Sequence, residues 1–443
     1  MNKYKNIIIG FGKGGKTLAK EIAMRGEEVL MIEESELMYG GTCINVGCIP
    51  SKSLIINGEK HVDMSTAHSI KNSLTSKLRE KNYNNLFEEE NITILNGKAK
   101  FLSDKIIQIT KTDNTKIQVK GERIFINTGS KAIKLPIDGL NKSKNVLDST
   151  TAMEQVIAPE KIVIIGAGYI GLEFASMFNS YGSKVSILDA SSEFLPREDE
   201  DISTLIYKDF LDKGIDIQLG VSINHIIDKD NYTEVIYTQA GKIKKVEVSK
   251  LLVATGRKPN TDALGLENTN IKTDSHGAIV VDEFLKTSVE NIWAIGDVKG
   301  GLQFTYISLD DYRIIVDYLY GDKKRNIMNR GNIPYSVFIT PPFSSVGIKE
   351  KELEKSKVNY KVFSLPVKAI PKAHIIDQTV GIFKVIIDAE TEKILGASLY
   401  GAESHELINL ISLAMDFNMD YKVLRDRVYT HPTMSESLND LLK

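Results

Sequence analysis

Sulfhydryls are nearly absent from this chain. Only two of its 443 residues are cysteine, Cys43 and Cys48, and both stand in one stretch, GGTCINVGCIPSK, Gly40 to Lys52. Two cysteines cannot build a disulfide framework in a protein this large, and in a reducing compartment a close pair points to catalysis or metal binding. A metal reading needs further ligands at short spacing. None of the seven histidines supplies one, since the closest, His61, lies in a polar stretch, so no metal site is expected. An excess of charge is missing too: 56 basic against 58 acidic residues, well mixed, leave a net charge of −2. That excludes a basic stripe for nucleic acid and a polybasic membrane patch. Long apolar runs are absent as well. The N-terminal MNKYKNIIIGFGKGG has three isoleucines before its glycines begin, too short for a signal-peptide core or a membrane span. A cytoplasmic chain is expected, about three domains long at ~100–200 residues per domain, with neither nucleic acid nor membrane as partner.

What the chain does have is a repeat. KNIIIGFGKGG reads as an apolar strand entering a glycine turn, KTLAKEIAMRG as the helix that follows, and EEVLMIEE as a second strand. Residues 161–189, KIVIIGAGYIGLEFASMFNSYGSKVSILD, read the same way. Gly10, Gly12, Gly15, Gly26 and Glu33 recur 156 residues later as Gly166, Gly168, Gly171, Gly182 and Asp189. A lone G-x-G-x-x-G is weak evidence. Here each copy follows an apolar strand, opens a helix and ends at an acid 23 residues after its first glycine, the context a dinucleotide fold needs. The first glycine makes the tight turn and the second lets backbone amides approach a pyrophosphate. The third lets the helix pack closely on the strand, so that its N-terminus faces the phosphates. The acid accepts the ribose hydroxyls. Two dinucleotides are therefore expected in one chain. At the second site no arginine follows Asp189 in ASSE, and a 2′-phosphate would be repelled there, which favours NADH over NADPH. The first copy shares its segment with the cysteine pair, and a redox disulfide needs a two-electron donor beside it, which points to FAD.

In a regular helix, residues five apart have Cα atoms roughly 8–9 Å apart, whereas a disulfide requires about 4.4–6.8 Å. The segment must be bent if the cysteines bridge. Gly47 permits such a turn, and Pro50 suits the first turn of a helix that follows.

These motifs together resemble the flavoprotein pyridine nucleotide–disulfide oxidoreductases, the family of dihydrolipoamide dehydrogenase, glutathione reductase and mercuric reductase. The resemblance runs from Asn2 to the C-terminus on the two fingerprints, GGTCINVGCIPSK, INTGS, VATGRKPN, TSVENIWAIGD and THPTMSES. It implies an α/β fold of two Rossmann-like dinucleotide-binding domains plus a C-terminal α+β dimerisation domain. FAD would be held by residues 1–148 and 262–328, NAD(P)H by 149–261, and the interface domain would be 329–443. Gly41, Thr42, Lys52, Ala99, Thr128, Gly129, Asp297 and Thr305 would join the first fingerprint, and Gly256 the second, as cofactor-binding positions. Lys52 would lie by the flavin and pair with Glu173. Cys48 would be the flavin-side thiol and Cys43 the one that meets substrate. His431 and Glu436 would form a base and its orienting carboxylate, completing the active site of the other subunit in a homodimer. His405, in GAESHELINL, departs from the small residue expected there in relatives and is read as a helix-surface residue, with a subgroup-specific site residue as the alternative.

The substrate is narrowed by a further likeness. GFGKGGKTLA, MYGGTCIN, FLPREDEDI, GGLQFTYISLDDYRI and THPTMSESLNDLL resemble the reactive-chlorine-resistance subgroup, known as hypothiocyanous acid reductases and in some cases copper(II) reductases. The absence of a C-terminal cysteine pair sets the chain apart from mercuric and large thioredoxin reductases. A small oxidant reaching Cys43 directly is expected. Dihydrolipoamide dehydrogenase, a mercuric-reductase-like metal reductase and a non-enzymatic redox sensor remain the alternatives.

Overall fold

The computed structural model describes Met1–Lys443 and contains three principal sheets. The first begins with β1 (Asn2–Ile9), whose isoleucines Ile7 and Ile8 are fully buried on opposite faces. A strand buried on both sides reads as a continuous apolar run, which is the mark of a parallel sheet. Accordingly β1 pairs in parallel with β2 (Val29–Glu33), and β2 with β3 (Ile92–Asn96). The helix α1 (Lys13–Met24) makes the crossover from β1 to β2. On the other side, β1 pairs with β6 (Lys116–Ile126), and the meander β4 (Lys98–Ser103) and β5 (Ile106–Thr110) extends the edge. The last strand of this sheet arrives from far along the chain: Ile292–Ala294 pairs with the second half of β6.

The second sheet takes all its strands from between Val146 and Val253. Its parallel order is Asp216–Gln218, Lys184–Leu188, Lys161–Ile165, Lys250–Val253, Val146–Leu147. The third is antiparallel, in the order Tyr335–Val337, Phe343–Gly347, Ile394–Tyr400, Ile382–Asp388, Tyr360–Pro366, with the helix Ser404–Asp416 against it.

Three short helices precede the long helix α4 (Met64–Phe87) or follow it: α2 (Thr42–Asn45), α3 (Cys48–Glu59) and α5 (Ser149–Ala152). The one that positions the site is α3. Leu54 and Ile55 share a single apolar cluster with Phe174 and Phe178 of α6 (Tyr169–Ser180), the helix of the second fingerprint. Burying each such side chain contributes about 1.5–3 kcal/mol. The Tyr181 hydroxyl adds a bond to the Leu54 carbonyl at 2.7 Å. Thus the cysteine-bearing helix is held against the second dinucleotide unit. No helix is long and apolar enough to cross a membrane.

Candidate functional site

The two fingerprints coincide in geometry as they do in sequence. Gly10 and Gly166 adopt φ of +102° and +108°, a left-handed conformation that favours glycine. A Cβ on Gly10 would sit 2.4 Å from the Asn127 carbonyl oxygen, and one on Gly166 would sit 2.7 Å from that of Ala254. Gly12 and Gly168 cap α1 and α6 with nearly identical backbone angles. Gly15 and Gly171 press onto the first-glycine carbonyls, where a Cβ would come within 2.6 and 2.0 Å. Each acid also answers its own turn: Glu33 Oε2 accepts the Phe11 N–H at 2.8 Å, and Asp189 Oδ2 accepts the Ala167 N–H. Burial pushes the Glu33 carboxyl upward, against the backbone bonds that hold its anion. A Cβ on Gly168 would meet nothing within 4 Å, so that amide face is open to a ligand.

Between the fingerprints lies the cysteine turn. α2 stops at Asn45, Val46 and Gly47 break the helical path, and α3 starts at Cys48 with Pro50 in its first turn. Gly47 has a negative φ, so its freedom serves close approach. A side chain there would sit 2.9 Å from the Thr42 carbonyl oxygen and 3.3 Å from Cys43 Cα. The Asn45 amide ties the turn down, donating to the Tyr39 and Gly41 carbonyls at 2.9 Å each, and Arg79 of α4 donates to its oxygen at 2.8 Å.

The break leaves the two thiols, which are unbridged, close enough for each to shift the other's ionisation. Cys48 Sγ also lies 3.8 Å from the Thr305 hydroxyl, at the start of the helix Thr305–Tyr320. The bond from Cys48 brings Cys43 down to about 6 despite burial, helped by Thr305 and the cations Lys16 and Lys52. Holding that proton beside a thiolate pushes Cys48 upward, and burial adds to it. The dithiol therefore loses its first proton near pH 6 and its second far above neutrality. Because Cys43 is depressed, its thiolate fraction rises as pH rises through about 6. Alkylation of the reduced protein by iodoacetamide should follow that curve and mark Cys43 first; half-maximal reactivity above pH 8 would contradict it.

Four residues past Cys48, Lys52 donates to Glu173 Oε2 at 2.7 Å, an ion pair shielded from water on both sides. Glu173 Oε1 accepts the Phe338 N–H at 2.9 Å, so one carboxylate joins α3, α6 and the third sheet. Asp297 accepts from the Ser130 hydroxyl at 2.7 Å, and Arg257 donates to Ser130 in turn. Reading the sequence missed Ser130, Arg257 and Phe338, although INTGS and VATGRKPN contain the first two. Their signal was membership in a motif whose glycines took the attention.

A single cleft of about 2640 Å³ passes Gly10, Gly12, Glu33, both cysteines, Lys52, Glu173, Gly166, Gly168, Asp189 and Asp297. Gly41, Thr42, Ala99, Thr128, Gly129, Gly256 and Thr305 line it as well. A site for one drug-sized ligand occupies about 300–1,000 Å³, so this volume has room for two dinucleotides. Both cradles fit that use: a side chain on Gly10, Gly12, Gly15, Gly166 or Gly171 would clash, Gly168 leaves its amide face open, and the acids stand at the strand ends. His431 and Glu436 are not in the cleft. They pair with each other, Nδ1 to Oε2 at 2.8 Å, and the imidazole is 71% exposed on the surface of the single chain. The expectation for His405 needs correction. It lines the cleft, half-buried, because the helix that carries it packs its N-terminus beside the Tyr335–Val337 strand and not toward open solvent.

Residues 4–311 match the model of the pyridine nucleotide-disulphide oxidoreductases, and residues 333–442 match that family's dimerisation domain. Among known proteins, the probable pyridine nucleotide-disulfide oxidoreductase RclA of Escherichia coli (strain K12) is 47% identical over 441 residues, spanning 100% of this chain and 99% of its own. A mercuric reductase of Lysinibacillus sphaericus is 32% identical, across 99% of this chain and 82% of its own. A dihydrolipoyl dehydrogenase of Corynebacterium glutamicum is 31% identical, across 99% and 97%. A solved structure, the Cu(II) complex of the HOCl-induced flavoprotein disulfide reductase RclA from Escherichia coli, superposes with a TM-score of 0.97 at 47% identity, covering 100% of this chain and 99% of that one.

Proposed function

Because the chain belongs to the pyridine nucleotide-disulphide oxidoreductase family, we propose that it is an NADH-driven flavoprotein reductase whose Cys43–Cys48 pair reduces a small electrophilic oxidant, hypothiocyanous acid first. Family membership implies FAD and a pyridine nucleotide in general. Our assignment gives FAD to residues 1–148 and 262–328, NADH to 149–261, and the dimer contact to 329–443. The observation that carries the reading is the placement of Cys43 and Cys48 in one cleft common to both fingerprints, where the cations Lys16 and Lys52 help to draw the Cys43 thiol down. The chain holds no third cysteine to relay electrons outward, so the oxidant meets Cys43 itself.

The chemistry balances. The Cys43 thiolate attacks the electrophilic sulfur of hypothiocyanous acid, forming an S–S bond and releasing hydroxide, which is protonated to water. The Cys48 sulfur, losing its proton, attacks Cys43 Sγ, closes the disulfide and expels thiocyanate. When bound, FAD supplies the two-electron link between NADH and the disulfide. The sum is NADH plus hypothiocyanous acid giving NAD⁺, thiocyanate and water. In this scheme Lys52 and Glu173 hold the coenzyme side closed to water, and Thr305 keeps Cys48 oriented.

The test is NADH consumption by the FAD-loaded enzyme with hypothiocyanous acid, copper(II), mercury(II), oxidised glutathione and lipoamide offered in parallel. Fast lipoamide turnover with no response to hypothiocyanous acid above the buffer rate would discard this substrate. Copper(II) stands in the panel because the RclA structure is a Cu(II) complex. Lipoamide stands there because the His431–Glu436 pair suits a dihydrolipoamide dehydrogenase, the second reading.

The coenzyme preference rests on Asp189, whose carboxylate also accepts the Ser191 N–H at 2.7 Å with no arginine before Arg197. NADH should exceed NADPH in kcat/KM, and Asp189→Ala should shrink that advantage about tenfold, the equivalent of ~1.4 kcal/mol. A wild-type preference for NADPH would refute the assignment.

A further inference from the structure

His405 stands apart from the groups used so far. Its ring packs on Phe338, centroids 5.5 Å apart and planes tilted by 52°. Phe338 in turn lies under the Lys52 ammonium, 4.9 Å from the ring centroid, and gives its N–H to Glu173. His405 is thus the outer member of a row that begins at the cysteine helix. Its two nitrogens differ. Nδ1 is buried with no hydrogen-bond partner, whereas Nε2 is not closed off in this way. A proton on Nδ1 would be a buried donor without an acceptor, the costlier arrangement, so the neutral ring carries its proton on Nε2. That leaves, on a residue that lines the cleft, an Nε2–H donor which nothing in the chain accepts.

The course of the coenzyme says what arrives there. A pyrophosphate at the Gly166–Gly168 turn sits at the N-terminus of α6, with the adenosine half directed to Asp189. The nicotinamide half would run the other way, toward the flavin site, past Glu173 in the second turn of α6. Glu173, Lys52 and Phe338 mark that route, and His405 borders it. We infer that His405 is a positioning residue for the nicotinamide ring, donating its Nε2–H to the carboxamide oxygen. This rests on the proposed NADH-driven function. It also gives a reason for an imidazole at a helix start where no hydrogen bond within the protein calls for one.

Two ligands separate the halves of the coenzyme: NAD⁺ carries the carboxamide, and ADP-ribose lacks the nicotinamide ring. Isothermal titration of the FAD-loaded enzyme should find His405→Phe, which keeps an aromatic ring against Phe338, weakening NAD⁺ about three- to tenfold, the scale of one neutral hydrogen bond. ADP-ribose should stay within about twofold, because it makes no such bond. His405→Gln, retaining a donor, should recover most of the NAD⁺ affinity, and the KM for NADH should move with the NAD⁺ dissociation constant. If His405→Phe weakens both ligands alike, or neither, His405 is not a nicotinamide contact. A wild-type enzyme that binds neither ligand and is not reduced by NADH would remove the proposed function itself, a result independent of the variants.

Discussion

Cys43→Ser should leave FAD bound and reducible by NADH yet lower turnover of every oxidant by about six orders of magnitude, the scale on which an enzyme loses rate when its nucleophile is deleted. The serine hydroxyl is not ionised at neutral pH, and no other sulfur in the chain can take its place. Cys48→Ser should also stop net turnover, for a different reason: Cys43 would still attack the oxidant but could not close a disulfide. The two variants separate in their spectra. The largest influence holding Cys48 protonated is the bond to Cys43, while Lys52 and Thr305 pull it the other way. With Cys43 gone, Cys48 should ionise more readily and show a long-wavelength thiolate-to-flavin charge-transfer band without added reductant. Cys48→Ser should show no such band even after one equivalent of NADH. Identical spectra from the two variants would overturn the assignment of the sulfurs.

Much of this arrangement is legible in the residues, because the legible parts are local. The first and third glycines of each fingerprint are demanded by backbone within a few positions of them or by the neighbouring strand end, as with Gly15 against the Gly10 carbonyl. A 156-residue repeat then doubles the signal. The bend between the cysteines follows from the reach of a disulfide alone. What escapes such reading depends on chain segments far apart in sequence. Phe338 matters because its N–H reaches a carboxylate 165 residues away, and Ser130 because Asp297 is 167 residues on. His405 was misplaced for the same reason. Its helix is amphipathic in pattern, with Leu407, Ile408 and Ile411 buried, and the pattern gives the buried face without saying that one edge of it borders a cleft. Nor does local sequence tell which sulfur keeps the proton: that depends on Thr305, Lys16 and Lys52 converging on the pair.

The position of His431 leads to the most selective expected effect. In the single chain its imidazole is paired with Glu436 and otherwise faces outward, remote from the cleft that holds the cysteines. Residues 333–442 match the family's dimerisation domain, and we propose that in a homodimer this pair enters the partner's site beside Cys43. Its value there depends on the substrate. A dithiol donor such as dihydrolipoamide must lose a proton to become a nucleophile, so every turnover needs a base, and removing one costs about 10²–10⁴-fold. Hypothiocyanous acid asks for less. It brings an electrophilic sulfur, and the Cys43 thiol, drawn well below the ordinary thiol range by its neighbours, supplies the thiolate without a base. His431→Ala should therefore reduce dihydrolipoamide oxidation by about 10²-fold or more, within the range for a lost general base, while slowing hypothiocyanous acid reduction by less than about tenfold. Glu436→Gln, which keeps the shape but weakens the orientation and basicity of the imidazole, should fall between wild type and His431→Ala with dihydrolipoamide only. Steady-state rates with both substrates on the same preparations decide the matter. Equal losses would mean that His431 acts on a step the two reactions share, and the argument that this oxidant needs no base would fail.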